Sequence, residues 1–182
     1  LFFGNEFFDA IPIKQFKKKN NQVYEKYLQL NKNSSFKIIL IKAPTKIIRE
    51  LKKFKLLKRN GVIEYPKLGF KKLEMIVKKI KKFNGGLLLI DYGSLKNQNI
   101  STLQSVKLHK KNRMFDNIGS SDITSLVNFG LLKNYLSQNK LTLNKIVSQS
   151  FFLKKIGILN RAEILSRKMT FKDKSDLYLR LQ

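Results

Sequence analysis

The sequence predicts an α/β domain built on a parallel sheet, and three observations carry that prediction. The first is a short apolar run, Leu1-Phe2-Phe3-Gly4, that ends in a polar mouth, Asn5-Glu6, with Asp9 close behind and Pro12 forbidding helix continuation. The second is the unbroken run Gly86-Leu87-Leu88-Leu89-Ile90, which delivers Asp91, Tyr92 and Gly93 at its carboxyl end. Such an apolar strand reads as buried on both faces, the condition of a parallel sheet. The third is order: a helical period, a glycine break, a buried strand and a polar mouth make one αβ step of a doubly wound fold. Ligands of open sheets sit outside the carboxyl ends of the strands. Asn5, Glu6 and Asp9 are therefore expected to meet Asp91 at one edge, in a crevice.

After the first strand, Ile11 to Phe16 and Gln22 to Leu30 alternate apolar and polar residues around a turn rich in Lys and Asn. That pattern predicts an antiparallel hairpin. Phe36 to Ile41 is a compact apolar strand expected to close the same small sheet. Pro44 suits the first turn of a helix. Ile47, Ile48, Leu51, Phe54 and Leu56 or Leu57 then recur at three- and four-residue steps as one buried face, with Asn60-Gly61 as the expected left-handed cap. Leu73, Ile76, Val77 and Ile80 mark a second amphipathic helix that Asn84-Gly85-Gly86 stops. Past the strand at Leu87, Asp122 is placed to cap a helix from about Ile123 to Leu136.

Composition removes several chemistries. The 182 residues contain no cysteine, which excludes disulfides, thiolate metal sites and cysteine nucleophiles. The single histidine, His109, reads as a surface or packing residue, and no metal site is expected. No apolar stretch approaches the length of a membrane span, and no signal peptide is recognisable. The net charge of +26 is spread over every segment, in groups such as Lys17-Lys18-Lys19, Lys78-Lys79 and Lys110-Lys111, expected in loops or on outer helix faces. It reads as a composition bias of solvated surfaces, not as a nucleic-acid footprint. The chain opens at Leu1 inside a strand, so a preceding segment is expected.

The stretch Asn5-Glu6-Phe7-Phe8-Asp9-Ala10-Ile11-Pro12 resembles the MidA-type methyltransferases, as does the Gly-Gly-hydrophobic-Asp-Tyr-Gly run ending at Gly93. Further collinear pieces resemble the same family: Thr102-Leu103-Gln104-Ser105-Val106-Lys107 with His109, Gly119 to Thr124, and Gln149 to Leu153 followed by Gly157, Ile158 and Arg161. The chain departs from the pattern where Val23 replaces a tryptophan. It departs again where Ser125-Leu126-Val127-Asn128-Phe129 replaces a segment bearing a histidine and an aspartate.

The resemblance implies the C-terminal part of a Rossmann-like class I methyltransferase fold with an inserted antiparallel β-hairpin at about residues 11–42. Residues 1–182 would then be a partial catalytic domain, lacking the N-terminal cofactor-binding half and the extreme C-terminus. It implies strands near Thr102 and from Leu141 to Ser148 that extend the sheet, one of them antiparallel. The implied cofactor is S-adenosyl-L-methionine. Gly85-Gly86 precedes a strand instead of opening a helix, so the cofactor-contacting residues are expected upstream of Leu1.

The implied activity is methylation of an arginine, to the symmetric dimethyl form, on a respiratory complex I subunit during assembly. The implied place is the cytoplasm of a bacterium or the mitochondrial matrix. Glu6 is the expected catalytic carboxylate and Asp9 the second candidate, because a guanidinium must be aligned and its charge held away from the attacking nitrogen. Asn5, Phe7, Asp91, Tyr92, Gln104 and Asp122 are the expected substrate-binding residues. A non-enzymatic assembly module and a basic nucleic-acid-binding protein stand as alternative readings. The oligomeric state is open.

Overall fold

The computed structural model describes residues 1–181. In chain order they form β1 (Phe2–Asn5), β2 (Lys14–Lys19), β3 (Gln22–Leu30), β4 (Phe36–Lys42), α1 (Thr45–Lys53), β5 (Gly61–Tyr65), α2 (Lys67–Phe83) and β6 (Leu87–Ile90). There follow β7 (Gly93–Ser94), β8 (Gln104–Lys107), β9 (Lys110–Asn112), β10 (Asp122–Thr124), β11 (Val127–Asn128) and α3 (Phe129–Gln138). A separate unit beginning at Asn144 holds α4 (Gln149–Lys155), α5 (Ile158–Ser166) and α6 (Phe171–Leu179).

β1 and β6 pair in parallel with Phe2 opposite Leu87 and Asn5 opposite Ile90. Their carboxyl ends therefore share one edge, as the apolar runs predict. The expected burial on both faces is not met. Phe3 is 63% exposed and every β6 residue is only partly buried. The pair is a two-stranded sheet, so no third strand among the described residues extends its apolar faces.

The hairpin forms as expected, with Lys19 opposite Gln22 and Asn20 at a φ of 54° in the turn. Asn is among the few side chains that tolerate this left-handed conformation. β4 joins β3 and β5 joins β2, giving the order β4-β3-β2-β5, all antiparallel. β5 corrects the reading of Asn60-Gly61 as a helix cap. α1 already ends at Lys53, and Gly61, at a φ of 125°, opens a strand. A Cβ at Gly61 would lie 2.3 Å from the Asn99 carbonyl oxygen, so the position needs glycine twice over.

One core joins this sheet to the helices. Phe16 and Ile63 from adjacent strands, Leu51 from α1 and Leu73 from α2 are its fully buried members, with Leu131 and Leu132 of α3 beside them. Removal of such a side chain from water contributes about 1.5–3 kcal/mol. α2 stops at Asn84 in the left-handed conformation (φ 47°), where the sequence places its cap.

Beyond β6 the expectations need correction. β8 does not extend the parallel pair but forms a separate antiparallel sheet, β10-β8-β9. Residues 141–148 form no strand. Asp122 opens β10 instead of capping a helix. α3 starts later, at Phe129, and its cap is Asn128, whose Oδ1 accepts from Leu131 N–H at 2.9 Å. Lys17, Lys18 and Lys19 lie in β2, and Lys110 and Lys111 in β9, not in loops or on helices. His109 is exposed in the turn before β9, as expected of a surface residue.

Candidate active site

At the shared edge of β1 and β6 the backbone turns sharply. Glu6 N–H donates to Ile90 O at 2.9 Å, continuing the strand pairing by one residue, and Glu6 itself adopts a φ of 47°. Three successive N–H groups then converge on one carboxylate oxygen. Asp91 Oδ2 accepts from Phe7 at 3.2 Å, Phe8 at 2.8 Å and Asp9 at 3.3 Å. Its Oδ1 accepts from Tyr92 N–H at 2.9 Å. Consecutive N–H groups wrapped on an anion form a nest. Asp91, expected to touch substrate, is thus given over to holding the loop that bears Glu6 and Asp9.

Phe8 anchors that loop in the core, while Phe7 stands edge-on to it at 5.5 Å between ring centroids and remains exposed. Asp9 is partly buried, and its Oδ1 is buried with no hydrogen-bond partner. Burial raises the Asp9 carboxyl above its usual range. The charge of Asp91 adds to this, that of Glu6 adds less, and the Ala10 N–H works against them. Of these acids Glu6 is the exposed one, while the Asp9 Oδ1 is enclosed.

A second segment clasps the mouth from the other side. Ser125 N–H donates to Asp9 O at 3.0 Å, and Val127 N–H to Tyr92 O at 2.8 Å. β11 and β7 run parallel there, with Val127 opposite Gly93. Gly93 has to be glycine, because a Cβ would lie 2.1 Å from the Val127 carbonyl oxygen. Sequence reasoning missed Ser125 because its contribution is a backbone N–H, which has no residue signature. It also missed Glu64, whose Oε1 accepts from Gln15 Nε2 at 2.7 Å and Thr102 N–H at 2.9 Å, and whose Oε2 accepts from the Thr102 hydroxyl. The Thr102 Oγ1 in turn accepts from Leu126 N–H at 2.9 Å.

The other expected site residues lie at varied distances from the acids. Asn5 and Tyr92 are exposed at the same strand edge. Gln104 Nε2 donates to Thr124 Oγ1 at 3.0 Å, one residue before Ser125. Asp122 stands farther along β10, opposite Val106, exposed and without a hydrogen bond to the mouth. The cavity lined by Phe8, Glu64, Thr102, Ser125 and Leu132 measures about 40 Å³, room for a few waters at most.

The raised Asp9 carboxyl makes a pH-dependent prediction. Between the usual 3.8 and the raised value, the native state binds more protons at Asp9 than the unfolded chain does. Stability through this group is therefore greater at low pH and falls as pH rises through the raised value. Asp9→Asn is expected to raise Tm at neutral pH and to leave it unchanged once both states are protonated. Thermal melts across the acid range check this, and a lower Tm at neutral pH would oppose it.

Comparison with known proteins bears on what such a mouth serves. Residues 1–147 match the family described as "Putative S-adenosyl-L-methionine-dependent methyltransferase". The chain is 30% identical over 164 residues to "Protein arginine methyltransferase NDUFAF7 homolog, mitochondrial" from Caenorhabditis elegans, covering 88% of the chain and 38% of that protein. It is 27% identical over 165 residues to "Protein arginine methyltransferase NDUFAF7, mitochondrial" from Mus musculus, covering 91% and 37%. The chain thus spans less than two fifths of these relatives.

Two crystal structures from Burkholderia thailandensis share the fold at 20% identity. An uncharacterized protein has a TM-score of 0.77, covering 98% of this chain and 50% of that one. A superfamily member bound to S-adenosyl-homocysteine has a TM-score of 0.72, covering 96% and 46%. The described elements are those of the class I methyltransferase-like fold, and the chain belongs to this S-adenosyl-L-methionine-dependent methyltransferase family.

Proposed function

We propose that the protein is an S-adenosyl-L-methionine-dependent protein arginine methyltransferase, and that the mouth formed by Glu6 and Asp9 receives the acceptor guanidinium. The observation behind this is the grouping of the exposed Glu6 with Asp9 and Asp91, where burial and the charges of Asp91 and Glu6 raise the Asp9 carboxyl, in a chain whose net charge is +26. A guanidinium presents five N–H donors in a plane and no acceptor, and it pairs best with carboxylates. Local negative charge is what would draw such a cation to a basic protein. The names of the relatives support the arginine acceptor.

In this reading Glu6 holds the reacting guanidinium and draws its charge away from the attacking nitrogen. Asp9 is the second carboxylate. Asn5, Phe7 and Tyr92 border the acceptor, Gln104 and Asp122 lie along the path of its peptide, and Asp91 acts through the loop. The cofactor supplies the electrophilic methyl. Among the described residues no glycine-rich turn leads from a strand into a helix, so none is assigned to hold it.

Residues 1–182 form part of the catalytic domain, with residues 11–42 as an inserted subregion. The finer parts of the proposal are symmetric dimethylation, a complex I subunit as substrate, and work in the mitochondrial matrix or the bacterial cytoplasm. Because residues 1–182 alone are expected to be inactive without the cofactor-binding half, the test incubates a protein that carries both with labelled S-adenosyl-L-methionine and arginine peptides of complex I subunits, with mass spectrometry as the readout. One methyl on each terminal nitrogen of a single arginine is expected. Transfer to lysine alone, or to no peptide while the cofactor binds, would overturn it.

A further inference from the structure

The four-stranded sheet has two edges, and the chain treats them differently. Along β5, Val62 N–H donates to Asn99 O at 2.8 Å and Thr102 N–H to Glu64 Oε1 at 2.9 Å, so residues 99–102 cover that edge. The outer edge of β4 has no strand partner among the described residues.

Two bonds bracket β4 and fix its phase. Asn31 N–H donates to Ser35 O and Ala43 N–H to Val23 O, both at 2.9 Å. With Leu30 opposite Phe36 and Tyr24 opposite Lys42, antiparallel alternation commits the odd-numbered residues of β4 to β3. It turns the N–H and C=O of Phe36, Ile38, Leu40 and Lys42 outward. The side chains of these four share one face, beside Leu28 and Leu30. Phe16, Val23 and Ile63 occupy the opposite, core-facing side. Leu28, Leu30 and Ile38 are 57%, 62% and 52% exposed, so the outer stripe is apolar and open except at its Phe36 end, where that ring stacks on Phe115 at 5.4 Å between centroids.

Charge narrows what could lie there. No Asp or Glu occurs between Glu25 and Glu50, while Lys26, Lys32, Lys37, Lys42, Lys46 and Arg49 do. A bare apolar edge with free backbone groups is a template for strand pairing, and edge lysines select against partners of like charge. A second copy would set Lys37 and Lys42 against their own equivalents.

We propose that the outer edge of β4 takes an extended segment of a partner protein by β-augmentation, one that alternates apolar residues with Asp or Glu. Main-chain bonds to Phe36, Ile38, Leu40 and Lys42 supply the pairing, the apolar stripe receives every second side chain with Lys42 at its end, and Lys37 on the opposite face receives the acids. This surface is independent of the methyl-transfer reading.

The test uses the whole chain and a fluorescein-labelled peptide of about ten residues alternating Val and Glu, the length of a full edge pairing. Saturable binding by anisotropy is expected, weakening with salt. Hydrogen exchange should slow at the amides of Phe36, Ile38, Leu40 and Lys42, while those of Lys37, Ile39 and Ile41 are slow already. Ile38→Pro removes an outward N–H without touching a β3 bond and is expected to weaken binding at least about tenfold. The exposed pair Lys37→Glu with Lys42→Glu is expected to do the same with the fold intact, and it decides the matter should the proline variant lose its circular dichroism. Wild-type affinity in the charge variant, peptide protection elsewhere, a self-association that excludes the peptide, or binding to anionic vesicles in its place would each overturn the proposal.

Discussion

In a protein that also carries the cofactor-binding half the resemblance implies, Glu6→Gln is expected to lower arginine methylation by about thirtyfold to a thousandfold while cofactor affinity stays near wild type. The expectation follows from where the backbone puts Glu6. Its N–H is still bonded to Ile90 O, and its φ of 47° turns the chain so that the side chain leaves at the strand mouth. Phe7 stands exposed next to it. The amide keeps the shape of the carboxylate but removes its charge, so the guanidinium is no longer held with its positive charge away from the attacking nitrogen. Loss of a charge-assisted contact of this kind costs about 2–4 kcal/mol in the transition state, which corresponds to a factor of about thirty to a thousand in rate. Turnover on an arginine peptide and calorimetric titration with S-adenosyl-homocysteine separate the two effects. If Glu6→Gln turns over normally and Asp9→Asn does not, the two acids exchange roles. If neither matters, the acceptor lies elsewhere.

How much of this was legible in the sequence depends on the range of the interaction involved. The parallel pairing of β1 with β6 could be read because two apolar runs each end in acids, and a strand's hydrophobicity is local information. The hairpin and the stop of α2 at Asn84 were legible for the same reason. β5 was not, since Asn60-Gly61 is as good a helix stop as a strand start, and only the approach of Asn99 to Gly61 decides between them. Asp122 was misplaced because an Asp before apolar residues looks like a cap. Asn128 does the capping, and it stands among residues where the chain leaves the family pattern. Asp91 was legible as a residue of the mouth but not as an anchor of its loop: three N–H groups from the loop after the neighbouring strand converge on its Oδ2. No spacing rule reveals backbone donors more than eighty residues away.

Asp91→Ala is accordingly expected to be the most destabilising single change at the mouth, at about 3 kcal/mol or more. Four backbone N–H groups, those of Phe7, Phe8, Asp9 and Tyr92, lose their acceptor together. A hydrogen bond to a charged group contributes about 1.5–3 kcal/mol, and a donor left unpaired costs its full desolvation. The four are not additive, because water reaches Phe7 and Tyr92, which are exposed, but is kept from Phe8, whose side chain is in the core. For a chain of this size the loss corresponds to a Tm lower by about 10 °C. Asp91→Asn should recover only part of it, since the amide can turn its oxygen to the Phe7, Phe8 and Asp9 donors only by turning its NH2 toward the Tyr92 N–H. Hydrogen exchange at Phe7, Phe8 and Asp9 should quicken in the alanine variant before the amides of β3 change. Arginine methylation should fall with it, because the loop that aims Glu6 and Asp9 loses its anchor. An alanine variant with wild-type Tm and wild-type exchange at those three amides would mean that the loop is held by Phe8 alone.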